Sequence, residues 1–210
     1  MLSIRHPDAH RCGTAAIDHS TLSGLLTVLM DRIECGVLAC GPDGELYHAN
    51  VAARRELERA RALRVADNRV CSNAASQDEW SVALRDATMR SRCSLVGIDD
   101  GGERLMIALM PVHVEGIATP VAVAMMGRRA VCSPLGLEML SSSHGLTFAE
   151  SRVFRALIGN NTAREIAASH GVAVTTVRTQ IQSVRDKLGV RSIDALLLRA
   201  AEVPPVTAQY

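Results

Sequence analysis

The run GVAVTTVRTQIQSVRDKL, residues 171–188, constrains the fold of this chain more than any other stretch. Val177, Ile181, Val184 and Leu188 recur at spacings of four, three and four, which builds one apolar stripe along a helix. Arg178, Thr179, Gln182 and Arg185 lie between them and point away from that stripe. Ala167 stands four residues before Gly171, and Val177 six residues after it. A helix-turn-helix needs a small residue where its helices cross, glycine where the turn requires positive φ, and a branched apolar anchor on the second helix. All three are in place. Such a pair can project its second helix into a DNA major groove while the first lies across the backbone.

The outward side chains then have a use. Arg178 and Gln182 are the types that read guanine and adenine edges through paired hydrogen bonds, and Thr179 can meet a thymine methyl. Arg164, Arg185 and Lys187 are candidates for phosphate contact, as are the hydroxyl and N–H groups of Thr175 and Thr176 at the helix start. A polar helix face alone is usually only solvated surface. The charge distribution adds to the frame. The 210-residue chain has a net charge of only +1, yet residues 145–203 carry eight Lys or Arg against five acids. The preceding part is therefore acidic, an asymmetry that suits a two-part chain with a polyanion-facing end.

Residues 146–201 read as purely helical. Thr147-x-x-Glu150 is a capping box ahead of Val153, Phe154, Leu157 and Ile158, and Ser192 can cap a last helix that closes at VPP. Over about 55 residues this segment resembles the LuxR/GerE-type DNA-binding domain. The matching pieces are Leu146-Thr147, Glu150, Glu165-Ile166-Ala167, Thr176-Val177-Arg178 and Lys187-Leu188-Gly189-Val190. The resemblance implies four helices, a recognition helix at about 174–188, and dimers meeting partly through the fourth helix, with Leu196 and Leu197 near a two-fold axis. Three positions depart from the family. Ala173 replaces the usual capping Ser, which makes Thr175 an alternative cap; Gln180 stands where His is common, and His170 where Leu is typical.

Ahead of this segment the rhythm changes. Leu22, Leu25, Leu26, Leu29 and Ile33 mark an amphipathic helix. GVLACGPDGELYHAN holds two short strands around Pro42-Asp43-Gly44, and Asn50 can cap the following helix, VAARRELERARAL. Ser76-x-x-Glu79 is a capping box for QDEWSVALRDATMR; three strand-like runs follow, CSLVGI, RLMIALMPV and VAVAMMGR. The expected fold is α+β: an N-terminal PAS-like five-stranded antiparallel sheet with helices, then an all-α four-helix helix-turn-helix domain. The expected division is a loose N-terminus at 1–18, a sensor at 19–128, a linker at 129–145 that has room for a short helix, and the DNA-binding unit at 146–204.

Other partners of a helix-turn-helix fit less well. A phosphoacceptor receiver needs a lysine, and Lys187 is the only one in the chain. A lactone-binding domain resembles a pocket of several Trp and Tyr, whereas this region has Trp80, Tyr47 and no Phe before 148. The PAS resemblance admits haem, flavin or small ligands. No Asn-Cys-Arg flavin-adduct motif occurs, and no His lies between Asn50 and Arg90, so no cofactor is expected and a small apolar ligand, or none, remains. Cys35, Cys40, Cys71, Cys93 and Cys132 read first as small buried hydrophobes and second as a thiol switch. His6, His10 and Cys12 supply too few fixed ligands for a metal site. No nucleophile–base pair or paired carboxylates suggest an enzyme.

The reading is a cytoplasmic, homodimeric transcriptional regulator that binds double-stranded DNA. RNA polymerase is a further possible partner, and no membrane is involved. Its rivals are an alternative sigma factor, which would carry an all-helical, aromatic-rich first part, and an interaction module whose helix-turn-helix no longer binds DNA.

Overall fold

A computed structural model describes residues 18–102 and 104–206. The expectation of a loose N-terminus falls, apart from Asp18, outside the described residues, as do His6, His10 and Cys12.

Helix α1 (His19–Asp31) opens behind Asp18, whose carboxylate accepts from the Thr21 N–H. Strands β1 (Val37–Cys40) and β2 (Leu46–Ala49) form the expected hairpin, and α2 (Val51–Arg59) follows behind Asn50. Asn50 does more than cap. Its Oδ1 accepts from the N–H groups of Ala53 and Val37, each at 2.9 Å; its Nδ2 donates to the carbonyls of Met30 at 3.1 Å and Cys35 at 2.9 Å. One fully buried amide thus joins the end of α1, the start of β1 and the start of α2.

The structure differs next. The second helix was expected to run through Leu63, but it ends at Arg59, with Ala60 left-handed. Strands β3 (Leu63–Ala66) and β4 (Arg69–Ser72) follow as a separate hairpin. Asp67 and Asn68 both take positive φ at its tip, the turn geometry that matches strand twist. Burial of Leu63 and Val70 in the core outweighs the helix propensity of the preceding residues.

Helix α3 (Gln77–Arg90) lacks the expected capping box, since the Ser76 hydroxyl makes no cap bond. Asn73 Oδ1 accepts from the Ser76 N–H, and Gln77 Oε1 accepts from the Ser72 N–H. The three later strands are β5 (Ser94–Asp99), β6 (Arg104–Val112) and β7 (Val121–Met126). The sheet is wholly antiparallel with order β2-β1-β7-β6-β5, so β7 closes back onto β1 at its centre. Trp80, Leu38, Ile98, Ile107 and Leu109 fill the space between sheet and helices. The α+β architecture with its five-stranded sheet is the expected one, and the all-helical first part of a sigma factor is absent from the described residues.

Helix α4 (Pro134–Ser143) occupies most of the stretch read as a linker, capped by Ser133 at its Gly136 N–H. Beyond it lie α5 (Phe148–Ile158), α6 (Ala163–His170), α7 (Val174–Leu188) and α8 (Ile193–Ala201), the expected four helices. Leu137 of α4 shares a core with Phe154, Val184, Leu188, Leu196 and Ala200. Gly136 comes so close to α8's exit that an added Cβ would sit 2.8 Å from Val203 Cγ1.

The chain then returns to its beginning. Val206 forms a β-bridge with Ile33, the Glu34 N–H donates to Pro205 O at 2.8 Å, and the Ser133 hydroxyl donates to Val206 O at 2.8 Å. A second fastening lies just past β7. The Arg129 guanidinium donates to both Glu56 oxygens, at 2.7 and 3.0 Å, and pairs with Asp100; the two carboxylates are buried. Those contacts push the Arg129 pKa upward.

Candidate nucleic-acid interface

Position fixes the chemistry of α7. Gly171 ends α6 at φ +67°, the left-handed turn that glycine adopts without a Cβ penalty. Ala167 and Val177 are both buried, so the close crossing and the anchor read from the sequence are present. Val177, Ile181, Val184 and Leu188 are buried as one stripe. Helix α7 begins at Val174 behind Ala173, which offers no capping side chain; Thr175 therefore sits inside the first turn and is not the cap. With no cap side chain, the first-turn N–H groups of α7 are left for an outside acceptor.

Arg164, Thr175, Thr176, Arg178 and Thr179 are exposed, and neither arginine has an ion pair among the described residues. The Thr179 hydroxyl donates to Thr175 O at 3.1 Å. Gln182 is exposed as well but is tied locally. Its Nε2 donates to Asp186 Oδ1 at 2.7 Å, and its Oε1 accepts from Arg185 at 3.2 Å. To read a base, Gln182 must exchange these surface bonds, a modest cost of about 1 kcal/mol each. Arg185 also donates to Arg191 O, so it lies against the helix end, half-buried.

Two of the expected contact residues also have partners inside the fold. Lys187 does not extend freely toward a phosphate. Its Nζ donates to Glu150 Oε2 at 2.7 Å and to Gly145 O at 3.0 Å, fastening α7 to the start of α5. Leu196 is 0% exposed in the core shared with α4, α5 and α7, so it cannot meet a second copy without leaving that core. Leu197 is half-buried, and the exposed apolar residues of α8 are Ile193 and Leu198.

Sequence reasoning missed Glu150 as a junction. The Thr147–Glu150 capping box is present, and the same carboxylate also accepts from the Ser183 hydroxyl at 2.6 Å. Lys187 above all, then Ser183 and the Thr147 N–H, hold its pKa down to about 2 from the usual 4.5. A carboxylate depressed on folding stabilises the fold above its unfolded value, and that stabilisation fades as pH falls toward the folded one. Wild-type protein should therefore lose thermal stability relative to Glu150→Gln between pH 4.5 and about 2. Parallel acid melts followed by circular dichroism test this; identical slopes in that window would show that the junction contributes nothing.

The five described cysteines are free; Cys40 and Cys132 are buried, Cys35 and Cys71 half-buried, and Cys93 exposed. Burial pushes the Cys40 thiol up to about 12 and raises Cys35 and Cys132 as well, which makes these thiols poor nucleophiles.

No family model and no curated relative match the chain. Among solved structures, it is similar to the phage VqmA–DPO complex, at 15% identity and a TM-score of 0.39, over 89% of this chain and 93% of that one. It is similar to the Vibrio cholerae VqmA dimer without target DNA, a LuxR-type receptor, at 18% identity and a TM-score of 0.36, over 90% and 91% of the two chains. The PAS domain of Bordetella pertussis BvgS is similar at 15% identity and a TM-score of 0.37, over 60% of this chain and 96% of that domain.

Proposed function

We propose that this chain is a homodimeric, sequence-specific DNA-binding transcriptional regulator of the cytoplasm, and not an enzyme. Residues 19–128 act as the sensor, 129–145 as the connection and 146–204 as the DNA-binding unit. The observation that carries the reading is the exposed row Thr175, Arg178 and Thr179 on a helix set by the buried Ala167 and Val177 and the left-handed turn at Gly171. An uncapped helix start beside Thr175 and Thr176 supplies phosphate contacts, with Arg164 and, from the far end of α7, Arg185 once it releases Arg191 O. Lys187 would have to share its Glu150 pair to add a further phosphate contact.

Dimerisation is supported by α1 rather than by Leu196. Leu22, Leu25, Leu26 and Leu29 follow one another at helical spacing and are 40–52% exposed, an apolar stripe that a second copy would cover. Small apolar ligands and RNA polymerase belong to the same proposal as input and output. No helix of the described residues is long and apolar enough to cross a membrane.

The test is a pair of variants against a selected operator and a random duplex. Arg178→Ala should weaken the operator complex by about 1–3 kcal/mol and the random one little. Arg164→Ala should weaken both alike and lower the salt slope by about one. Equal losses on both duplexes for Arg178→Ala would remove the base-reading role.

A further inference from the structure

A groove of about 880 Å³ runs between α4 and α5 and reaches the end of α6. None of its lining residues belongs to α7 or to the set assigned to DNA. Leu137, Leu146 and Ala156 give it an apolar interior. Ser141 lines it at 6% exposure, with a hydroxyl that has no hydrogen-bond partner among the described residues. On its rim, Phe148 is 81% exposed, more than any other large hydrophobic side chain described. The Arg152 guanidinium lies 5.9 Å from the Phe148 ring centre. Neither Arg152 nor Arg155 forms an ion pair among the described residues. His170, where the family resemblance calls for Leu, also borders the groove and makes it more polar at that end.

Apart from the Arg152 contact, nothing described covers the Phe148 ring, and neither groove arginine is neutralised by an acid among the described residues. Exposed aromatic and arginine side chains next to an apolar cleft are the composition of a protein-binding anchor. Small-molecule sites bury most of their ligand, whereas this cleft leaves Phe148, Arg152, Arg155 and Ser142 open along its length. A helix laid lengthwise would cover them. The charge selects its chemistry: Arg152 and Arg155 outnumber the one lining acid, Glu138. A second copy of this chain matches poorly. Its α1, with the row of exposed leucines, holds a single acid, Asp31, already paired with Arg54 at 3.2 Å.

We propose that the α4–α5 groove docks an amphipathic helix of another protein, with an apolar stripe flanked by Asp or Glu that face Arg152 and Arg155. Because the groove shares no residue with the recognition face, partner and DNA can be held together. The proposal goes beyond DNA binding and does not depend on it.

The test uses the full chain and two labelled helical peptides, both with a leucine stripe, one flanked by glutamates and its twin by lysines. Fluorescence anisotropy should show saturable binding of the acidic peptide. The lysine twin, and the acidic peptide on Arg152→Glu/Arg155→Glu, should each bind about tenfold more weakly or worse. Phe148→Ser should also weaken the acidic peptide, while Leu25→Asp in α1 should not. All substituted residues are exposed, so thermal melts should confirm intact folds. Absent binding, equal binding of the twins, or no effect of the double charge reversal overturns the proposal. So does sedimentation showing that Phe148→Ser dissociates a dimer, or competition of the acidic peptide by random duplex DNA.

Discussion

Asn50→Ala should lower stability by about 4 kcal/mol, because four backbone groups lose their partner inside the fold. Two are N–H groups, of Val37 and Ala53, and two are carbonyls, of Met30 and Cys35. Asn50→Asp separates two explanations. Aspartate caps a helix as well as asparagine does, so a pure cap would tolerate it. Here its second oxygen would face the Met30 and Cys35 carbonyls with no proton to offer, and the loss should approach that of alanine. Trp80 is the one tryptophan, fully buried, with its Nε1 bonded to Val70 O at 3.0 Å. Urea unfolding followed by its fluorescence therefore reports on the core that the sheet, the β3–β4 hairpin and α3 share. A silent Asn50→Asp would reduce Asn50 to a cap.

Arg129→Met should cost about 3–5 kcal/mol, the typical result of removing one member of a buried charge cluster. Glu56 would keep only Arg59, at 3.4 Å, and Asp100 would lose its guanidinium. Removing the charges together is a different experiment. The combination Arg129→Met, Glu56→Met and Asp100→Leu should recover most of the loss, since apolar replacements of a whole buried cluster are often near neutral. The same fluorescence transition measures both. If the single variant melts like wild type, the guanidinium contributes little and the segment after β7 is held by packing alone.

The sequence disclosed what depends on near neighbours. Asn50 was legible as a cap because its partner Ala53 is three residues away; its bonds to Met30 and Cys35 cross 20 and 15 residues and required the fold. The turn at Gly171 and the stripe from Val177 to Leu188 were legible for the same reason. The β3–β4 hairpin was hidden behind good helix formers, although Asp67-Asn68 between Val65 and Val70 is a local turn signal. Lys187 was placed on the DNA side from its helix position, but its acid, Glu150, lies 37 residues earlier and meets it only when α5 crosses α7. The family resemblance puts Leu196 near a two-fold axis; its burial comes from α4 packing over α8, which no local pattern announces. The α4–α5 groove was illegible outright, because one wall comes from a Ser- and Gly-containing stretch that reads as a connector.

The bridge between Ile33 and Val206 has a practical consequence for handling the molecule. A chain trimmed just after α8 would lack Pro205 and Val206, which accept from the Glu34 N–H and the Ser133 hydroxyl. Cutting the molecule anywhere between α1 and α8 to obtain a sensor or a DNA-binding unit by itself would likewise part the two sides of the bridge. Dissection at the apparent linker would therefore yield loosened fragments, while any version that keeps residues 33 and 206 on one chain preserves the native junction.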